Sequence, residues 1–301
     1  MLHFLVTGKN GQLSRSLAER AVLHDIRVTQ CGVPELDLSW SHDEIRQTII
    51  NISSSVKPDL IVNCAAYTAV DKAETEKDLA LAVNGSAPGA VAEAARFLDI
   101  PVIHISTDYI FNGQDGPSWT ERDIPDPVNH YGRTKLTGEL AVQDIWPNHA
   151  ILRTAWVFSP FGNNFVKTML RLSEEHSEIR IVHDQFGSPS SALDLADAIC
   201  RIGEQLCRRK NDYTLRGIFH LAGTGFTDWA GFARIIFEQS VIRGGKGSHV
   251  SGIPSSEYPS KAARPFNSCL NTDKTFRTFG IRMPDWKHSL AIVLDRLIKP
   301  L

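Results

Sequence analysis

The chain has 301 residues, 42% hydrophobic and 22% charged, ordinary proportions for one large globular domain or two closely joined ones. A formal net charge of -2 gives no global reason to expect nucleic acid or an acidic membrane as a partner, so an anionic ligand must be held by local groups. The opening residues carry no basic leader, no run approaches the ~20 apolar residues of a membrane span, and five scattered cysteines form no C-x-x-C pair; the expectation is a cytoplasmic protein with reduced thiols and no metal site.

In chain order, residues 2–6 read as a strand, 12–23 as a helix and 26–29 as a second strand. Residues 41–56 follow as a helix, with Ser41 as N-cap and Glu44 three positions later. Residues 60–64 form a buried strand, 73–98 a long helix, 101–106 and 150–153 further strands, with a helix starting near Tyr131 between the last two. Val- and Ile-rich strands alternating with helices predict an α/β fold, a Rossmann-like doubly wound parallel sheet. After about Trp156 turn-forming clusters interrupt the rhythm, with helices at 165–176, 193–209 and 229–240. The expected division is a dinucleotide-binding domain over residues 1–157 and a smaller C-terminal α/β substrate domain over 158–301, some segments of which could return to the first. Ligands of open parallel sheets bind beyond the carboxyl ends of the strands, where the second domain would close the crevice.

Three motifs carry chemistry. Thr7-Gly8-Lys9-Asn10-Gly11-Gln12-Leu13 joins the first strand to the first helix. A glycine turn there admits a pyrophosphate, and the helix N-terminus offers N–H donors and a positive dipole end. Ser14 stands where a third glycine is usual, and its β-carbon predicts a slight separation of helix from strand. The second strand ends Thr29-Gln30-Cys31-Gly32, with neither the acid that favours NAD nor an Arg for the extra phosphate of NADP; Arg27 is nearby, and Asp37-Leu38 could meet the adenine edge or cap a turn. NADH and NADPH therefore both stay open.

Tyr131 and Lys135 stand four residues apart and share one helix face. A phenol of ordinary pKa near 10 exchanges protons poorly at neutral pH, and a nearby ammonium favours its phenolate. Lys135 could also bond the nicotinamide ribose. The preceding strand ends Ser106-Thr107-Asp108; one hydroxyl can point at the substrate oxygen, Thr107 by preference, while Ser106 and Asp108 serve equally well as turn and cap residues. Trp229, Trp286 and Phe232 read as core.

At these residues the chain resembles the extended short-chain dehydrogenases, and among them the dTDP-4-dehydrorhamnose reductases. The resemblance runs through Gly8–Leu13, Val62-Asn63-Cys64-Ala65-Ala66-Tyr67, Ser106–Phe111, Tyr131–Leu136 and Arg153–Phe158, and in the second half through Gly162–Met169, Asp184–Pro189 and Arg264–Ser268. It implies reduction of the C4 ketone of dTDP-4-dehydro-L-rhamnose by NADPH or NADH, with Tyr131 as proton donor, Lys135 as its partner and Thr107 at the substrate oxygen. It also implies Gly8, Asn10, Gly11, Gln12, Leu13, Asp37, Leu38, Ala65, Ala66 and Tyr67 along the cofactor, and Asp108 and Trp156 at the sugar. Arg264 is the candidate for the substrate diphosphate or, equally, a lock for the C-terminal tail. Ser190 and Phe266 depart from the group's usual residues and could alter the sugar accepted. Some members hold magnesium through acids at a dimer contact; Arg15 and Leu193 stand where two such acids would be sought, so magnesium is not expected and monomer or homodimer stays open. Two other readings remain: a ketoreductase for another nucleotide-linked 4-keto-deoxysugar, and a non-catalytic subunit resembling the regulatory β subunit of methionine adenosyltransferase.

Overall fold

In the computed structural model, which describes residues 1–298, the apolar runs of the first half become strands of one sheet. The order is β1 (Leu2–Thr7), α1 (Gln12–Arg20), β2 (Ile26–Cys31), α2 (His42–Val56) and β3 (Leu60–Asn63). The Ser41 hydroxyl and Glu44 carboxylate close a reciprocal capping box at the start of α2. The single helix expected over 73–98 is instead α3 (Val70–Ala73), α4 (Lys77–Leu81), a wide π-type turn at Ala82–Ser86 and α5 (Ala87–Phe97). The wide turn carries Asn84 inward, fully buried, where its side-chain amide bonds both the N–H and the C=O of Tyr67, at 2.8 and 2.9 Å. A local polar contact thus displaced helical regularity, as π-bulges often do near functional sites.

The half closes with β4 (Val102–Thr107), α6 (His130–Ile145) and β5 (His149–Thr154). Beyond it lie β6 (Val157–Phe158), α7 (Phe165–Glu175), β7 (Glu178–Val182), β8 (Phe186–Gly187), β9 (Ser190–Ser191), α8 (Ala192–Arg208) and β10 (Gly217–His220). β11 (Thr227–Asp228), α9 (Trp229–Ile242), β12 (His249–Ile253), α10 (Asp273–Phe279) and α11 (Trp286–Ile298) complete the order.

The main sheet is parallel throughout, ordered β10-β5-β4-β3-β1-β2. β10 comes from the second half of the chain and pairs with β5, Gly217 opposite Ala150 through His220 opposite Arg153. α8 returns with it: Leu195, Ile199, Ile202 and Leu206, spaced along one helix face, pack with Phe4, Val6 and Leu152 on one face of the sheet. The opposite face buries Leu5, Ile61 and Ile151 against α2 and α5. Each such side chain removed from water stabilises the fold by about 1.5–3 kcal/mol. The remaining second-half elements hold their own core, where Phe232, Ile236, Val250, Trp286 and Leu290 join α9, α11 and the parallel pair β7–β12. Among the described residues no helix is long and apolar enough to cross a membrane.

The order in which the chain adds strands reverses between β1 and β3, and register brings Thr7 opposite Asn63 and Asn63 opposite His104. The carboxyl ends of β1, β3 and β4 therefore open on one side, the usual place for a ligand crevice in such sheets.

Candidate active site

A cleft of about 820 Å³ runs along that edge, from Asp37 at one end past the phosphate loop to Tyr131 and Trp156 at the other. Its size lies in the usual range for small-molecule and cofactor sites. The loop at its centre is built tightly. Gly8 has φ +90°, a region L side chains rarely adopt, and its N–H donates to the Cys31 carbonyl at 2.6 Å. The Thr7 hydroxyl donates to Asn63 Oδ1 at 2.6 Å and accepts from the N–H of Cys64 and Ala65, joining β1 to the turn after β3. Gly11 precedes α1 in extended backbone and offers no side-chain cap, so the first N–H groups of the helix are left for a ligand.

Ser14, whose β-carbon predicts a separation of helix and strand, bonds across that junction. Its buried hydroxyl donates to the Gly8 carbonyl and accepts from Gln30 Nε2 at 2.8 Å, so it fastens α1 to both the loop and β2. Gln12 reaches across to the second half, where its amide bonds the Val157 carbonyl, the Ser159 hydroxyl and Asn164 Nδ2 at 3.2, 2.9 and 3.0 Å. Gly8, Asn10, Gly11, Gln12, Leu13, Asp37, Leu38, Ala65 and Ala66 all line the cleft. Tyr67 does not; its phenol turns to Glu76 at 2.7 Å because Asn84 fixes its backbone. Asp37 lines the cleft and also holds a turn, its Oδ1 accepting from the Ser39 N–H and hydroxyl, each at 2.8 Å.

At the far end, α6 begins with Asn129, whose side chain accepts from the Gly132 N–H at 2.8 Å. A β-carbon on Gly132 would stand 2.1 Å from the Tyr109 carbonyl oxygen, so only glycine lets the first turn of α6 sit directly on the end of β4. That contact brings Tyr131 to Thr107. The Tyr131 ring meets the edge of Tyr109 at 5.9 Å, and the Thr107 hydroxyl lies against its phenol. Thr107 donates its own proton to Asp108 Oδ1 at 2.9 Å and accepts from the Tyr109 N–H at 3.2 Å.

Lys135 is buried and its Nζ donates to the Ile105 carbonyl at 2.7 Å. Burial pulls its pKa down to about 8, opposed by the carboxylate of Glu139. The phenol of Tyr131 moves the other way: burial pushes it up to about 12, and the neighbouring Thr107 hydroxyl offsets only part of that. In this arrangement burial dominates the Tyr131 phenol, and the Lys135 Nζ donates to the β4 backbone. Asp108, also buried, is raised to about 6, and its Oδ2 has no partner among the described residues.

Glu139 was not singled out from the sequence, although Tyr131, Lys135 and Glu139 follow one another at four-residue steps along one helix face. It is fully buried and takes a forked bond from Arg153 on β5, at 3.0 and 2.7 Å. Trp229, expected in the core, also lines the cleft. Its indole stacks on Trp156 at 3.5 Å and 5°. Trp156 has φ +45°, unusual for a bulky residue, and packs against Gly187, where any β-carbon would strike its ring. The lack of a side chain at Gly187 thus leaves room for the Trp156 ring at the crevice.

Other second-half residues lie elsewhere. Arg264 does not line the cleft; its Nη2 pairs with Asp71 Oδ2 at 2.7 Å, its Nη1 bonds Ser260, and the Ala262 N–H donates to the same carboxylate, which ties the 260–264 segment down. Phe266 is exposed and Ser190 is buried, its hydroxyl donating to the Ser188 carbonyl, so neither touches the cleft where a sugar would be selected. Arg15 lies over the ring of Phe161 at 4.4 Å, and Leu193 is buried. Asp184 shapes a loop by accepting from the Ser255 N–H and hydroxyl.

Residues 2–299 match the family model described as the RmlD substrate binding domain. A dTDP-4-dehydrorhamnose reductase from Sinorhizobium fredii is 45% identical over 96% of this chain and 95% of its own length. Among solved structures, a dTDP-4-dehydrorhamnose reductase from Clostridium acetobutylicum superposes with a TM-score of 0.88 at 36% identity, covering 98% of this chain and 99% of that one. The Bacillus anthracis dTDP-4-dehydrorhamnose reductase, solved in complex with NADP, also has a TM-score of 0.88, at 32% identity over 97% of this chain and 99% of its own.

Proposed function

The chain belongs to the dTDP-4-dehydrorhamnose reductase family, and from that premise we propose that Tyr131, Lys135 and Thr107 carry its chemistry. The reaction is NAD(P)H-dependent reduction of the C4 ketone of dTDP-4-dehydro-L-rhamnose to dTDP-L-rhamnose. The observation that carries the assignment of residues is the meeting of Tyr131 with Thr107 at the carboxyl end of β4, beside a buried Lys135, in the one cleft that also contains the glycine turn.

The bare N-terminus of α1 and the positive-φ turn at Gly8 suit a pyrophosphate, and the buried ammonium of Lys135 suits ribose hydroxyls, so the residues fit a nicotinamide dinucleotide. When bound, that cofactor supplies the hydride. Tyr131 supplies the proton: its phenolic O–H breaks as a new O–H forms on the former ketone oxygen. Phenolate develops in that step, and Lys135, held charged against burial by Glu139, stabilises it.

Thr107 has one proton, and Asp108 accepts it. Thr107 lies against the Tyr131 phenol and positions it beside the ketone oxygen. Trp156, backed by Trp229, offers a flat apolar face for the deoxysugar ring. Arg264 serves as the tail lock, since its guanidinium is already shared between Asp71 and Ser260.

The test is to follow loss of nicotinamide absorbance on adding freshly generated dTDP-4-dehydro-L-rhamnose, with NADPH and then NADH, and to identify the product. Oxidation with formation of dTDP-L-rhamnose is expected. Oxidation confined to a different nucleotide-linked 4-keto-deoxysugar would move the substrate assignment while keeping the site.

A further inference from the structure

Resting on that reading of the cleft, we propose that Lys9 and Glu35 form a charge gate at the adenosine ribose, which sets the discrimination between NADPH and NADH. The ribose end of a dinucleotide lies against the carboxyl end of β2, where an acid or an arginine normally reads the 2′ position. Here that end is Cys31-Gly32, which provides neither.

The nearby polar groups are engaged elsewhere. Gln30 turns back to the loop, donating to Ser14 Oγ and the Ser14 carbonyl at 2.8 and 3.0 Å. Asp37 is held by Ser39. Arg27, near the amino end of β2, stands opposite His3, away from the crevice.

What remains at the corner is an ion pair. Lys9 leaves the phosphate loop and lines the cleft, and its stem crosses the end of β2: a β-carbon on Gly32 would lie 3.2 Å from Lys9 N and 3.4 Å from Lys9 Cγ. Its ammonium pairs with Glu35, three residues beyond Gly32. Both side chains are substantially solvated, 34% and 54% exposed, so the pair can open at little cost.

A 2′-phosphate carries close to two negative charges near neutral pH, whereas the 2′-hydroxyl of NADH carries none. The phosphate would compete with Glu35 for the Lys9 ammonium and would be repelled by the Glu35 carboxylate; the hydroxyl would sense neither strongly. Lys9 thus favours NADPH, and Glu35 holds that preference down, leaving a chain that takes both cofactors.

Calorimetric titration of the full-length protein with NADP+ and NAD+ separates these effects, and neither variant removes a catalytic group. Glu35→Gln should tighten NADP+ roughly three- to fivefold, and Lys9→Ala should weaken it by a similar factor, with NAD+ within about twofold in both. The same asymmetry should appear between 2′,5′-ADP and 5′-AMP, which lack the nicotinamide. Equal changes for both nucleotides, or a loss confined to NAD+ in Glu35→Gln, would overturn the gate while leaving the cleft as the dinucleotide site. Failure of the unaltered protein to bind either nucleotide would remove the site reading and the gate together.

Discussion

The two ends of the cleft are built on opposite electrostatic plans. At the end proposed for adenosine, charge is carried by Lys9 and Glu35, both solvated, and the N-terminus of α1 has no side-chain cap. At the end proposed for the ketone, charge is carried by Lys135, Glu139, Arg153 and Asp108, all buried. Water screens the first set, so its ion pair exchanges readily. In the second set desolvation pulls Lys135 down to about 8 and lifts Asp108 to about 6. Binding needs exchangeable charge, whereas proton transfer needs charge that is fixed and easily shifted.

The sharpest way to break this comparison is at Tyr131. Tyr131→Phe should lower turnover by about 10²–10⁴-fold, the usual range for a positioned general acid, with NADP+ affinity unchanged by titration. Near-normal turnover would show that the proton comes from elsewhere in the cleft.

Next in size is the support beneath it. Glu139→Gln leaves the Arg153 guanidinium buried without its counter-charge, a change that typically destabilises by about 3–5 kcal/mol. Chemical denaturation should show that loss, and turnover should fall as well because Lys135 loses the carboxylate that keeps it charged. A stability change within about 0.5 kcal/mol, the usual range for surface substitutions, would mean the ketone end is less desolvated than its burial indicates.

Lys135 sharpens the contrast through pH. A lysine held near 8 when folded, against an ordinary 10.5, releases its proton on folding between those values. The unfolded chain then binds more protons in that window, so stability rises with pH across it. Relative to Lys135→Met, the unaltered protein without cofactor should gain roughly 2 kcal/mol between pH 7 and pH 9.5, read from paired urea titrations. Parallel curves for the two proteins would place the ammonium in solvent.

The smallest effect belongs to the other end. Lys9→Ala and Glu35→Gln should each change folding stability by less than about 1 kcal/mol, the worth of an exposed pair, even while they shift nucleotide preference. A large loss of stability would show that this pair holds the phosphate loop together.

Much of the fold was legible from periodicity. The alternating strands and helices of the first half needed only local pattern, and β1, β2, β3, β4 and β5 fall where Val- and Ile-rich runs predict them. The long helix expected over 73–98 failed because the pattern gave no sign that Asn84 would turn inward to hold Tyr67. In the site, Glu139 was readable as the third member of a four-residue series after Tyr131 and Lys135. Trp229 was not, since an aromatic residue opening an amphipathic helix looks the same whether it faces core or cleft.

By itself the sequence determined what neighbouring residues dictate: a glycine turn between β1 and α1, a phenol and an ammonium on one face of α6, and a hydroxyl closing β4. Tertiary structure alone decided what depends on residues far apart in the chain. It sent α8 and β10 back to the first-half sheet, paired Arg264 with Asp71, and packed Trp156 against both Trp229 and Gly187. It also pulled Lys135 down and pushed Asp108 and Tyr131 up, because desolvation is a property of the packed surroundings and has no signature in the order of residues.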